Sequence, residues 1–300
     1  MEFQLLNMDT KRHIQKILTL LLLAGGTLSC LPENLLIQVE PAPSQLVISS
    51  INVDTLGLAV LVTRSFSALE GNEDSLSQDF INQIVVSDAE VRLTTNAEEI
   101  LLEGLEDIDG VYFTQQLSIE DNETLRLDVF DPQTGMRVSA ETAAVPAVSL
   151  DTVGFFEEIV DEDTIQMLFY SFTDPMSDNW YSLNVFDPLQ FANEVGENIF
   201  SLNGGNSGLF YERLLSDQEL TERVYSDTVE LFDPIASDTI AFFFTNITEG
   251  YFRFLDVRQR FGGILSDSEP VNFPTNVVGG LGYFTFNRPQ IRIVTKERVE

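Results

Sequence analysis

The chain has 300 residues, with 48 acidic side chains against 16 Lys plus Arg and a formal net charge of -32 at pH 7. A surface this acidic repels a phosphate backbone and anionic headgroups alike, which argues against a nucleic-acid partner. One cysteine and one histidine in the whole chain exclude an internal disulfide and leave little material for thiol, imidazole or zinc chemistry.

The first predicted element is an export segment. Lys11, Arg12 and Lys16 precede the apolar run Ile17 to Leu23, then Ala24-Gly25-Gly26-Thr27-Leu28-Ser29 leads to Cys30. A basic start, an apolar stretch too short to span a bilayer and small residues before a cysteine describe a lipoprotein signal peptide, residues 1–29. The mature chain is then expected to begin at Cys30, lipidated at its thiol and held on a membrane surface rather than through it. Cleavage discards His13, the only histidine, and leaves Lys296 as the only lysine. Residues 30–44 follow as a tether, with Pro32, Pro41 and Pro43 and little periodicity.

From Gln45, short apolar and β-branched runs alternate with turn clusters: Leu46 to Val53, Gly57 to Phe66, Ala89 to Thr94, Gly110 to Thr114, Leu125 to Phe130 and Met136 to Thr142. Glu70-Gly71-Asn72-Glu73-Asp74 and Asp131-Pro132-Gln133-Thr134-Gly135 separate strand-length pieces, which predicts an immunoglobulin-like antiparallel β-sandwich over 45–147. Val145-Pro146-Ala147 interrupts the pattern, because proline cannot donate to a central ladder, and marks the boundary to a second β-rich domain, 148–300.

The second region carries runs at Thr164 to Phe172, Trp180 to Phe186, Val229 to Phe232, Thr239 to Thr245 and Tyr283 to Phe286, with a flexible loop at 203–208. A short helix is predicted over Ser216 to Val224. A clearer one runs from Thr248, its N-cap, to Arg260, with Tyr251, Phe252 and Leu255 on one face and Gly262-Gly263 as the stop. The fold class is therefore mainly all-β with a short helix in the C-terminal half.

Three stretches resemble the Bacteroidota lipoprotein family catalogued as domain of unknown function 4249. They are Asp174-Pro175-Met176-Ser177-Asp178-Asn179-Trp180-Tyr181, the helix Glu249 to Arg260, and Phe273-Pro274-Thr275-Asn276-Val277-Val278-Gly279-Gly280-Leu281-Gly282-Tyr283-Phe284. The first domain is similar to the family's as well, through Asp88-Ala89-Glu90-Val91-Arg92-Leu93. The resemblance implies a cell-envelope lipoprotein, often encoded beside TonB-dependent outer-membrane receptors, and brings no catalytic residues with it.

Several constellations have a structural as well as a chemical meaning. Gly279-Gly280-Leu281-Gly282 lacks the lysine and Ser/Thr of a phosphate loop and reads as a tight turn, with Tyr283, Phe284 and Phe286 packing on alternate sides of the strand that follows. Asp161-Glu162-Asp163 reads as a solvated hairpin tip rather than a calcium loop. Trp180 and Tyr181 read as packing residues rather than the lining of a ligand groove. The triplets headed by Asp54, Asp74, Asp151, Asp163, Asp227 and Asp238 resemble the O-glycosylation signal of exported Bacteroidota proteins, with Thr55, Ser75, Thr152, Thr164, Thr228 and Thr239 as candidate acceptors. An aspartate ending a turn before a β-branched residue produces the same triplets without any sugar.

Together with what the resemblance implies about a TonB-dependent transporter, these observations lead to the expectation of a non-enzymatic, lipid-anchored protein of the outer membrane that binds or assists such a transporter, with no cofactor, no metal and an unidentified small-molecule or glycan ligand. The alternatives are a carboxylate-based glycan hydrolase and a purely structural surface lipoprotein.

Overall fold

A computed structural model describes residues 43–51, 57–66, 82–106, 108–115, 117–160, 163–175, 177–188, 209–220, 222–231, 237–261 and 273–297. All lie within one unit, Pro43–Glu300. Cys30, His13, the tether up to Ala42, the acceptors Thr55 and Ser75, the 70–74 turn, the 203–208 loop, Asp161, Glu162 and Gly262-Gly263 lie outside the described residues.

The fold of the described residues is mostly β, in four sheets, with a 13-residue α-helix at Glu249–Phe261. In chain order the first strands are β1 (Leu46–Ile51), β2 (Leu58–Arg64), β3 (Glu90–Thr94), β4 (Glu99–Leu101), β5 (Glu103–Gly104), β6 (Val111–Thr114), β7 (Thr124–Phe130) and β8 (Arg137–Ala143). β7 alternates exposed and buried positions, so that Leu125, Leu127 and Val129 face inward while Thr124, Arg126 and Asp128 face outward. That period-2 pattern is what selects a strand with one wet face.

β9 (Leu150–Val160), β10 (Asp163–Thr173), β11 (Trp180–Phe186), β12 (Leu209–Ser216), β13 (Val224–Leu231) and β14 (Thr239–Ile247) follow, then α1 (Glu249–Phe261), β15 (Val277–Val278), β16 (Leu281–Tyr283) and β17 (Gln290–Thr295). The sheets run β16-β1-β2-β6-β5, β15-β8-β7-β3-β4, β13-β10-β9 and β12-β11-β14-β17. The first two share a core containing Leu46, Ile48, Val60, Leu93, Leu125 and Leu127. The other two share a second core built on aromatic residues, in which Phe172 lies 4.6 Å from Phe244 and 4.8 Å from Tyr181 between ring centroids.

Residues 277–286, although expected with the second region, belong to the first core. β15 pairs with β8 and β16 runs parallel to β1, while Val277, Phe284 and Phe286 are buried among first-core residues. A parallel pairing needs a long crossover, and here the whole second region supplies it.

Three local expectations are corrected. Ser216–Val224 is not a helix: a single 3₁₀ turn covers Asp217–Glu219, and β13 begins at Val224, because Val224–Leu231 is taken up as the ladder partner of β10. The strand expected at Tyr283 to Phe286 ends at Tyr283, after which Phe284 and Phe286 fill the first core without a ladder. β9, β12 and β17 are strands that the apolar pattern did not single out. α1 matches its expected span, and the Tyr251 N–H donates to Thr248 Oγ1 at 3.3 Å, the bond expected of an N-cap.

Candidate functional site

The polar side chains of the most specific motif are spent inside the fold. β15 is the edge of one sheet and β16 the edge of another, so Val277–Tyr283 straps both sheets of the first core together. Asn276 donates through Nδ2 to the carbonyls of Glu141 and Phe284, both at 2.8 Å, and accepts the Phe284 N–H through Oδ1 at 2.9 Å. Thr275 donates to the Gly282 carbonyl at 2.7 Å. Gly279 and Gly282 have φ of +83° and +90°, the left-handed region that favours glycine. The expectation of a turn over a phosphate loop is met here.

The helix closes onto the strap. Tyr283 packs at 5.4 Å from both Tyr251 and Phe254, and a Cβ on Gly250 would stand 2.2 Å from the Tyr283 hydroxyl. Glycine at 250 is therefore what lets the ring lie against the first turn of α1. Arg258 reaches Glu212 on β12 at 2.8 Å, which ties the other end of the helix to the second core.

The Asp174 to Tyr181 stretch forms a second polar knot. Tyr181 donates its hydroxyl to Asp174 Oδ1, and its buried ring packs against both Phe172 and Phe244. The Asn179 N–H donates to Asp217 Oδ2 at 2.9 Å, and Asn246 Nδ2 donates to the Pro146 carbonyl at 2.9 Å and to Asn179 Oδ1 at 3.3 Å. Burial, then the neighbouring Asp174 and Asp178, lift the Asp217 carboxyl above its ordinary range against the Asn179 amide, and its Oδ1 is buried without a partner among the described residues. Tyr181 is packing, as expected, and Trp180 is half-buried at the start of β11.

A third group was missed from the sequence. Arg213 on β12 and Asp227 on β13 pair across the edge of the second core, joined by Tyr225, whose hydroxyl donates to Asp227 Oδ2 at 3.2 Å. Tyr170 lies fully buried beneath them, 6.1 Å from Tyr225 between centroids. Burial raises the phenol pKa of both, Tyr170 well above the ordinary tyrosine range. The side chains of Arg213 and Asp227 are 32% and 28% exposed, between a solvated surface pair and a buried one. A double-mutant cycle of Arg213→Met and Asp227→Asn, read by urea unfolding, is expected to give a coupling of about 1–2 kcal/mol. Coupling near zero would mean that the two sheets are held there by apolar packing alone.

Of the candidate acceptors, Thr152, Thr164 and Thr228 are exposed and Thr239 is half-buried, all on strands rather than loops. Asp163 pairs with Val160 across the β9–β10 hairpin. Among the described residues no group of three or more carboxylates, histidines or cysteines is arranged to hold a metal ion, and no helix is long and apolar enough to cross a membrane.

No curated protein matches the chain. A family model described as domain of unknown function (DUF4249) matches residues 33–288, a span that takes in the strap, the Asp174 knot and both cores, and the chain belongs to that family.

Proposed function

We propose that the chain is a lipid-anchored protein of the outer membrane, tethered through Cys30, that works without catalysis as a binding or accessory subunit of a TonB-dependent transporter. The observation that carries this reading is how the motif side chains are used. Thr275, Asn276, Asp174 and Asn179 direct side-chain polar atoms into the fold, where they fasten sheet edges and loops. Residues used in this way make a rigid platform rather than a reacting constellation. Two five-stranded sheets around one core support an immunoglobulin-like sandwich as the first domain, with 148–300 contributing the second β-rich domain and returning a strap to the first.

Native co-purification with intact-mass spectrometry tests the reading. Solubilised membranes are expected to yield the chain starting at Cys30, carrying acyl mass, together with an outer-membrane receptor. A lipidated chain recovered repeatedly without any receptor would overturn the accessory role. The same mass counts any sugars carried by the candidate acceptors, of which Thr152, Thr164 and Thr228 are exposed, and a mass equal to the lipidated polypeptide removes glycosylation.

A further inference from the structure

Large apolar side chains are exposed at more than one edge, but at one edge they coincide with the point where the chain enters the fold. Val278 is 71% exposed, Phe66 48% and Leu281 42%. Leu281 pairs with Val47 at the start of β1. The Ser65 N–H donates to the Gln45 carbonyl at 2.8 Å, which brings Phe66 beside the same residues. Val278 lies opposite Ser139 on the outermost strand of the facing sheet, and the turn from Val278 to Leu281 runs against Leu46, whose carbonyl oxygen a Cβ on Gly280 would meet. All three border the end of β1 from which the chain runs back to Cys30.

Between Cys30 and Ser44 stand Leu31–Pro43. A segment of that length spans at most about 45 Å. We infer that the rim of Phe66, Val278 and Leu281 rests on the lipid bilayer, a non-covalent contact that fixes which face of the folded part turns toward the membrane holding Cys30. The inference rests on the anchor proposed above. A net charge of -32 opposes anionic headgroups, so the contact is with a zwitterionic surface, made by apolar side chains entering the interface. A few side chains suffice because the tether keeps the rim at an effective concentration near millimolar, so a weak contact is populated. Leu101, 57% exposed on β4 at the opposite edge of its sheet from β15, has the same apolarity without the proximity to the tether.

The test uses the lipidated mature chain on phosphatidylcholine vesicles. Acylation consumes the only native thiol, so Leu281→Cys, Val278→Cys and Leu101→Cys each accept a single environment-sensitive fluorophore. The labels at 281 and 278 are expected to be blue-shifted and roughly threefold protected from iodide relative to 101, and Val278→Asp beside Leu281→Cys is expected to abolish that protection. Equal iodide quenching at all three positions on vesicle-bound, correctly lipidated protein overturns the inference. So does protection that appears only in native membranes, because that outcome assigns the rim to a protein partner. A chain whose mass shows no acyl group overturns the anchor, and the inference with it.

Discussion

Replacing Gly282 with alanine is expected to destabilise the first core by about 2–5 kcal/mol, read as a lowered urea midpoint of the mature chain followed by circular dichroism. Two independent terms add. Gly282 has φ of +90°, which costs an L-residue about 1–2 kcal/mol. A Cβ there would also stand 2.0 Å from the Ile48 carbonyl oxygen and 2.9 Å from the Ile48 carbonyl carbon and amide nitrogen. Ile48 cannot step aside easily, because its strand is paired with β2 on one side and β16 on the other and its side chain is buried in the core. Gly135 separates the two terms: its φ is +76°, but a Cβ there meets nothing within 4 Å. Gly135→Ala should therefore cost only the conformational part, roughly 1 kcal/mol. Equal losses for the two variants would show that the strap does not press on β1.

What was legible in the sequence depended on how locally each element is determined. β7, β8, β10, β11 and β14 are central in their sheets and bounded by turns, and their apolar runs or alternations stand out from residues within one strand length. β9, β12 and β17 are edge strands with one ladder partner each and more polar positions, such as Glu157 and Glu158, Glu212 and Arg213, and Arg292. Their strand state is set by the partner that recruits them. The strap is the extreme case: its glycines announce a turn, but its pairing with β1 joins residues more than 200 positions apart, and nothing local encodes that. The same holds for Arg213 and Asp227. Asp227 drew attention through the Asp-Thr-apolar triplet, whereas its ion pair depends on the packing of two sheets. Thr248 and the helix it caps were readable because the capping bond spans three residues.

Asp131→Ala is expected to cost about 3–5 kcal/mol at pH 7, because it would leave the Arg64 guanidinium without its main partner. The Asp131 side chain is fully buried and Arg64 is 18% exposed, with Arg64 Nη2 2.8 Å and Nε 3.0 Å from Asp131 Oδ2. Thr134 donates its hydroxyl to the same oxygen at 2.7 Å, and the Gln133 N–H donates to Oδ1 at 2.9 Å. This carboxylate thus organises the β7–β8 turn while pinning it to the end of β2. Burial pushes its pKa up, but the Thr134 hydroxyl, Arg64 and the Gln133 amide outweigh burial and hold it below the ordinary carboxylate range. A folded pKa below the unfolded value gives a stabilisation that is complete above roughly pH 4 and is lost as pH falls through the folded pKa. Asp217, shifted the other way by burial, opposes folding at neutral pH and is relieved on acidification, so the two carboxylates contribute with opposite sign. Asp131→Asn keeps the shape and removes only the titrating charge. The stability gap between wild type and Asp131→Asn should be widest near neutrality and narrow progressively below about pH 4. Urea midpoints measured from pH 7 down to pH 3 test this, and a gap that stays constant across that range would mean that the carboxylate draws no stability from its ionised form.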